Sequence, residues 1–254
     1  MRQTLILILF AILSPNSFAD HYEDSEDFEN QEWIQVGDMY VPIDNSSDNE
    51  TGLRGVKKSN VRLWRNGVIH YQFAPSVTQT NRRMFVEACA EMGEFANVRC
   101  LPRNGQRDHI YIQNTNRNIC GSSFLGRRGG RQTFTIKCWR FSTIQHELMH
   151  AFGLSHEHNR MDRDDHITIN WQNITPGLEH NYRKISLSNT SHVLNYYDFE
   201  SIMQYDSFGG TSNGGIVMYR TELGPTRGRL RRSSVMSFGD HYILYALYGG
   251  ERPR

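Results

Sequence analysis

The sequence predicts an α+β fold: a twisted sheet with a site-bearing helix in an N-terminal lobe, then an irregular C-terminal lobe with a late helix. Three observations carry that expectation. Strand-like runs recur at Val68–Phe73, His109–Gln113 and Gln132–Ile136. Helical patterns stand beside them at Thr80–Ala96 and from about Ser142 onward. The later half is then rich in Asn, Ser and Gly until a last helical stretch, Asp240–Tyr248. A chain of 254 residues has room for one sizeable domain or two small ones. It contains no internal repeat and no heptads.

Taken in order, residues 1–19 read as a secretory signal. Arg2 supplies the positive start, Leu5–Leu13 the apolar run, and Ser17 and Ala19 the small residues before a cut. The run is too short to span a bilayer comfortably, so a secreted, extracellular product with no membrane span is expected.

Residues 20–54 form an acidic segment, with eleven Asp and Glu against one base, Arg54. Residues 55–254 carry 26 Lys and Arg against 16 Asp and Glu, a net charge of +10. Opposite charge favours docking of leader on body. Composition alone equally allows a solvated acidic tail. Within the leader, Trp33–Pro42 is apolar enough to lie in a groove, and 45–52 reads as an exposed linker. Arg54-Gly55 is a plausible processing bond for an activating protease. This divides the chain into signal peptide 1–19, pro-segment 20–54 and domain 55–254.

The first strand, Val68–Phe73, is ended by Pro75. In the following helix Phe85, Ala88, Cys89, Met92 and Phe95 make one buried stripe. The glycine-rich basic stretch Gly126–Arg131 lacks the Lys-Ser/Thr end of a phosphate loop and reads as a hairpin or substrate-edge loop. Ser142 is the expected N-cap of the next helix, with Gln145 at capping-box spacing. Residues 158–165 are dense in charge and read as a network of turns; they do not match a calcium loop. In the last helix Leu244 and Leu247 face the core. Four cysteines in an exported chain suggest two disulfides. Three pairings are possible; neighbour pairing, Cys89–Cys100 and Cys120–Cys138, is the simplest.

The stretch that carries chemistry is His146-Glu147-Leu148-Met149-His150-Ala151-Phe152-Gly153-Leu154-Ser155-His156-Glu157. On a helix, His146 and His150 share one face and can grip one metal ion. Glu147 lies beside them as a base that is not itself a ligand. Gly153 lets the chain leave the helix sharply, so that His156 can return as a third nitrogen ligand. Three protein ligands leave one zinc position open, as a catalytic site requires. The pattern is the metzincin form, which also places a methionine turn under the metal. Met203, in Glu200-Ser201-Ile202-Met203-Gln204-Tyr205-Asp206, lies at a suitable distance, and Tyr205 follows it.

With these residues in view, the chain resembles the astacin family of zinc metalloendopeptidases over about residues 55–254. His146–His158 looks like the family zinc signature, Arg160–Asp165 continues the match, Ser201–Tyr205 looks like the Met-turn, and Trp64–Tyr71 looks like the family's first strand. The resemblance implies one Zn²⁺ per chain on His146, His150 and His156, with Glu147 as general base and acid. It implies that Tyr205 coordinates zinc at rest and swings to stabilise the transition state. Glu157 would receive the new N-terminus, placed at Gly55 by counting back from Trp64. Gly37-Asp38 looks like the aspartate switch, a pro-segment carboxylate in zinc's open position. Cys120 and Cys138 match a family disulfide. Three departures stand out: Gln204 where histidine is usual, Gln35 where an aromatic is usual, and no cysteine after Cys138. Cys89 and Cys100 would then form a replacement bridge.

The implied function is a secreted, latent zinc endopeptidase acting on proteins or peptides. The rival is a zinc-holding adhesion or binding protein, against which the intact Glu147 and Tyr205 argue. Nucleic acid is not an expected partner of an exported chain. Arg127, Arg128, Arg131, Arg231 and Arg232 are candidates to read an acidic substrate, although general surface charge accounts for them as well. Asn45, Asn49, Asn173 and Asn189 lie in glycosylation sequons.

Overall fold

The computed structural model describes residues 32–42, 61–185 and 194–250. The signal peptide, the 45–52 linker, the Arg54-Gly55 bond and the sequons at Asn45, Asn49 and Asn189 lie outside these residues.

Nine strands form among the described residues: β1 (Trp33–Val36), β2 (Met39–Pro42), β3 (Val68–Phe73), β4 (Arg99–Pro102), β5 (His109–Asn114), β6 (Gly121–Phe124), β7 (Arg131–Ile136), β8 (Ile167–Ile169) and β9 (Met218–Arg220). The helices are α1 (Gln79–Met92), α2 (Phe141–Ala151), α3 (Gly224–Arg227) and α4 (Phe238–Tyr248). Seven strands make one sheet in the order β1-β2-β6-β7-β5-β3-β4, and β8 pairs with β9. The centre, β7-β5-β3-β4, is parallel, whereas β6 runs antiparallel to β7. That antiparallel pair makes Gly126–Arg131 part of a hairpin connection, as its glycines suggest.

The three expected strands are present. Ile69 and Tyr71, Ile110 and Ile112, and Phe134 and Ile136 alternate inward and meet Phe85, Ala88 and Met92 of α1 and Ile144, Leu148 and Met149 of α2. Phe85 sits at the aromatic centre, edge-on to Tyr71 at 5.2 Å and to Phe134 at 5.7 Å. Cys89 is bonded to Cys100, tying α1 to β4, and Cys120 to Cys138.

Several boundaries differ from expectation. Helix α1 stops at Met92, capped by Gly93, so Phe95 lies beyond it and only partly buried. Ser142 does not cap α2. The N-cap is Arg140, without a side-chain bond, and Gln145 instead donates to Glu91 Oε1 across the α1–α2 interface at 3.1 Å. The last helix starts earlier, capped by Ser237 with Asp240 completing a capping box, and buries Leu244 and Leu247 as expected. Six short strands carried no clear sequence pattern. β6 is the instructive one: Gly121-Ser122-Ser123-Phe124 looks like a loop, yet all four residues are buried between α2 and the leader hairpin.

The second lobe is irregular, as expected, with a small cluster of Ile167, Ile174, Tyr182, Tyr197, Val217, Met218 and Leu230. Among the described residues no helix is long and apolar enough to cross a membrane.

Candidate active site

Helix α2 is buried from Thr143 to Ala151, which fixes its rotation in the core. His146 and His150 therefore point to one place, with rings 4.7 Å apart. Gly153 takes φ +105°, and the Leu154 N–H bonds back to Met149 O at 2.9 Å. The chain reverses there and brings His156 round, its ring 4.5 Å from His150. Two long-range contacts close the helix end: the Trp64 indole donates to Ala151 O at 2.8 Å, and the Tyr248 hydroxyl to Phe152 O at 2.8 Å.

His146 Nδ1 lies 2.8 Å from Ile202 O, and His150 Nδ1 lies 2.7 Å from Leu154 O. A carbonyl only accepts, so each Nδ1 carries the proton and each Nε2 presents a lone pair. Those lone pairs face His156 Nε2 at 3.3 and 3.2 Å. Asp38 Oδ1 reaches His156 Nε2 at 2.7 Å, and its carboxylate stands 3.4 and 3.5 Å from His146 and His150. The three Nε2 atoms share at most one proton, on His156. A divalent cation resolves it, and three nitrogens with one carboxylate oxygen suit zinc. Burial drives His156 down to about 3, against the pull of Asp38, so the ring is neutral and ready to ligate. Burial opposes the Asp38 charge, but the imidazoles, His156 first, hold its carboxyl well below the usual range.

Asp38 arrives from the turn between β1 and β2. That hairpin extends the main sheet by laying β2 parallel to β6, Met39 against Ser123 and Tyr40 against Phe124. Val36, Met39 and Val41 bury against Val61, Leu125 and Ile185. The expected groove-binding segment is thus an added pair of strands.

Glu147 is fully buried, and neither carboxylate oxygen has a hydrogen-bond partner among the described residues. Burial pushes it well above the ordinary range, and the charge of Asp38 adds to this. Gly121 makes room for it: a Cβ there would lie 2.6 Å from Glu147 Oε1. The Tyr205 hydroxyl donates to Asp38 Oδ1 at 3.2 Å, and the Tyr205 ring lies 4.5 Å from that of His156. Met203 is buried in the turn below His146, and its carbonyl accepts from the Glu157 N–H at 3.2 Å. Glu157 Oε1 accepts from Arg160 at 2.7 Å and from the Asp198 N–H at 2.8 Å. Burial nevertheless raises Glu157 to about 7. It lines a cavity with Ser155, Ser201, Met203 and Asp240.

Asp38, His146, His150 and His156 thus converge, with Tyr205 against Asp38 and Glu147 on the same helix, while Gly153, Met203 and Glu157 flank the cluster; the disulfides lie elsewhere. Of the five arginines, Arg232 is the one whose charge stands among the main influences on His146, Glu147 and Tyr205. Arg127 pairs with Asp108, while Arg128 and Arg131 cover the rings of Phe124 and Tyr111.

The profile of the astacin peptidase family matches residues 56–249. The chain belongs to the astacin family. It is 32% identical to zinc metalloproteinase nas-7 of Caenorhabditis elegans over 81% of this chain, and 32% identical to nas-6 over 83%. It spans 56% and 63% of the lengths of those two proteins. High choriolytic enzyme 1, a hatching-enzyme zinc protease from medaka, superposes with a TM-score of 0.64 at 29% identity, covering 74% of this chain and 94% of that one. Myroilysin, at 19% identity and a TM-score of 0.53, shares the fold. The astacin fold agrees with the α+β, metzincin-like architecture read from the sequence.

Sequence reading missed Asp240. Its carboxylate accepts from Ser201 Oγ at 2.6 Å, from the Ile202 N–H at 2.8 Å and from the Ser237 N–H at 2.8 Å. It therefore pins the turn around Met203, whose Ile202 carbonyl accepts from His146 Nδ1. The capping-box spacing Ser237-x-x-Asp240 was a signal for the helix start, but nothing local pointed to the turn.

Proposed function

We propose that this chain is the latent precursor of a secreted zinc endopeptidase, silenced by Asp38 of its own leader. One observation carries the reading: Asp38 closes the fourth side of a three-histidine cluster beside an unpartnered, buried Glu147. Bound zinc would polarise the scissile carbonyl and make water a nucleophile near neutral pH. The chain's own residues do the rest. Glu147 takes a proton from water and returns it to the leaving amine. With Asp38 in place, its nearby negative charge favours the protonated, idle form of Glu147. Withdrawal of Asp38 removes that contribution and frees the Tyr205 hydroxyl, which then donates to the developing oxyanion. Edge strand β6, relieved of β2, offers its main chain to a peptide substrate.

Activation is the cut at Arg54-Gly55, and the cavity beside Glu157 is where the new N-terminus settles. A carboxyl held near 7 by burial gains an ammonium partner there. In this reading residues 1–19 direct export and 20–54 confer latency. The test is cleavage of unfolded protein by the processed chain. Cuts should vanish with a chelator and return on adding Zn²⁺; turnover that survives full metal removal would overturn the assignment.

A further inference from the structure

The leader chain is gripped at the metal cluster from two sides, and the two grips are chemically opposite. From β6 and the residue after it, the Ser123 N–H donates to Asp38 O at 3.0 Å and the Leu125 N–H to Tyr40 O at 2.9 Å. From the second lobe, Asn181 Oδ1 accepts the Gly37 N–H at 2.6 Å. Gly37 precedes the residue that touches all three histidines, so this bond lies beside the place where a chain being cut must pass.

Asn181 is well prepared for such a role. It sits in the short turn Glu179–Tyr182, and its backbone is held without help from its side chain. Its carbonyl accepts from Asn159 Nδ2 at 2.8 Å and from His158 Nε2 at 3.2 Å, and its N–H bonds to Leu178 O at 3.0 Å. The next residue, Tyr182, is buried and donates its hydroxyl to Gly209 O. The carboxamide is thus presented from a fixed base.

We infer that, once the hairpin leaves, the Asn181 carboxamide accepts a main-chain N–H of the bound substrate next to the scissile bond. Resting on the endopeptidase reading, this makes Asn181 a substrate anchor facing the β6 edge across the cleft. An extended peptide alternates donors and acceptors, so an edge strand alone leaves the outward-facing amides unpaired. One acceptor at this point fixes the register of the chain over the metal cluster. The contact reads main chain, so it tolerates any side chain but rejects proline, which has no N–H, at one position.

The test uses the processed, zinc-loaded enzyme and a cleavable peptide N-methylated at each backbone position in turn. In wild type, N-methylation at the anchored position should lower kcat/KM about tenfold, as expected for one lost hydrogen bond. Asn181→Ala should abolish the penalty at that position and leave the others intact. Asn181→Asp, which keeps Oδ1, should retain it. Identical penalties in Asn181→Ala and wild type would overturn the inference, as would a uniform fall at every position, which marks a general structural effect. If wild type cleaves none of the peptides, including the unmethylated one, the endopeptidase reading fails and the inference with it.

Discussion

Helix α2 and the β1–β2 hairpin both deliver side chains to the histidine cluster, but only the helix is built into the main core. Helix α2 is buried along nine consecutive residues, and Ile144, Leu148 and Met149 pack into the large cluster with α1 and β3, β5 and β7. The hairpin buries three side chains in a satellite cluster and is otherwise held by one edge-strand pairing, by the rings of Trp33 and Tyr40 against Phe124 of β6, and by polar contacts. Among these, Arg117 donates to Gln35 at 2.7 Å and to Tyr40 at 2.9 Å, partners that face each other across the hairpin. On the proposed function, the difference separates a permanent ligand set from a removable one. A ligand that must leave is attached by contacts whose loss does not open the core.

Four substitutions probe that contrast. The largest effect belongs to the helix side: Glu147→Gln in the processed enzyme should retain zinc and lower kcat by about 10³-fold. Metal content and turnover measured on one sample check this, and wild-type turnover would sink the proposed role. Next, Asp240→Ala leaves the Ser201, Ile202 and Ser237 donors unpaired in a buried site. It should cost about 2–4 kcal/mol in urea unfolding, and zinc affinity should drop about tenfold through His146. A smaller loss in the permanent site than in the hairpin would contradict the comparison.

On the removable side, Asp38→Ala should raise the activity of the uncleaved precursor about tenfold or more, since a buried charge contact is lost. Arg117→Ala should raise it by about threefold to tenfold, in keeping with exposed hydrogen bonds. A precursor as silent as wild type in both cases would show that other contacts hold the hairpin.

The subtlest probe is pH. Glu157 is raised from 4.5 to about 7 by burial, so between those values the folded precursor holds a proton that the unfolded chain has released. Its stabilising contribution is complete below 4.5 and lost as pH rises through 7. The thermal stability of the precursor should therefore fall from about pH 4.5 to 7 more in wild type than in Glu157→Gln. Contributions of the histidines are common to both proteins and cancel in the comparison. Parallel curves would place the titration elsewhere.

The sequence by itself determined what depends on local periodicity. The four-residue spacing of His146 and His150, the reversal at Gly153, the stripe of α1 through Met92 and the strands β3, β5 and β7 are properties of neighbours along the chain. The resemblance of local motifs also reached Asp38, Met203 and Tyr205. Tertiary structure alone decided how these parts meet. Tyr205 finds Asp38 across 167 residues, Gly37 finds Asn181 across 144, and Asp240 finds Ser201 across 39. Such pairings leave no periodic trace, because each needs only one polar atom at the right place once the core has fixed the elements. The same reason explains the misplaced cap of α2 and the unrecognised β6. Ser142 had the right chemistry locally, and β6 the wrong one, but packing against α1, α2 and the leader hairpin outweighed both.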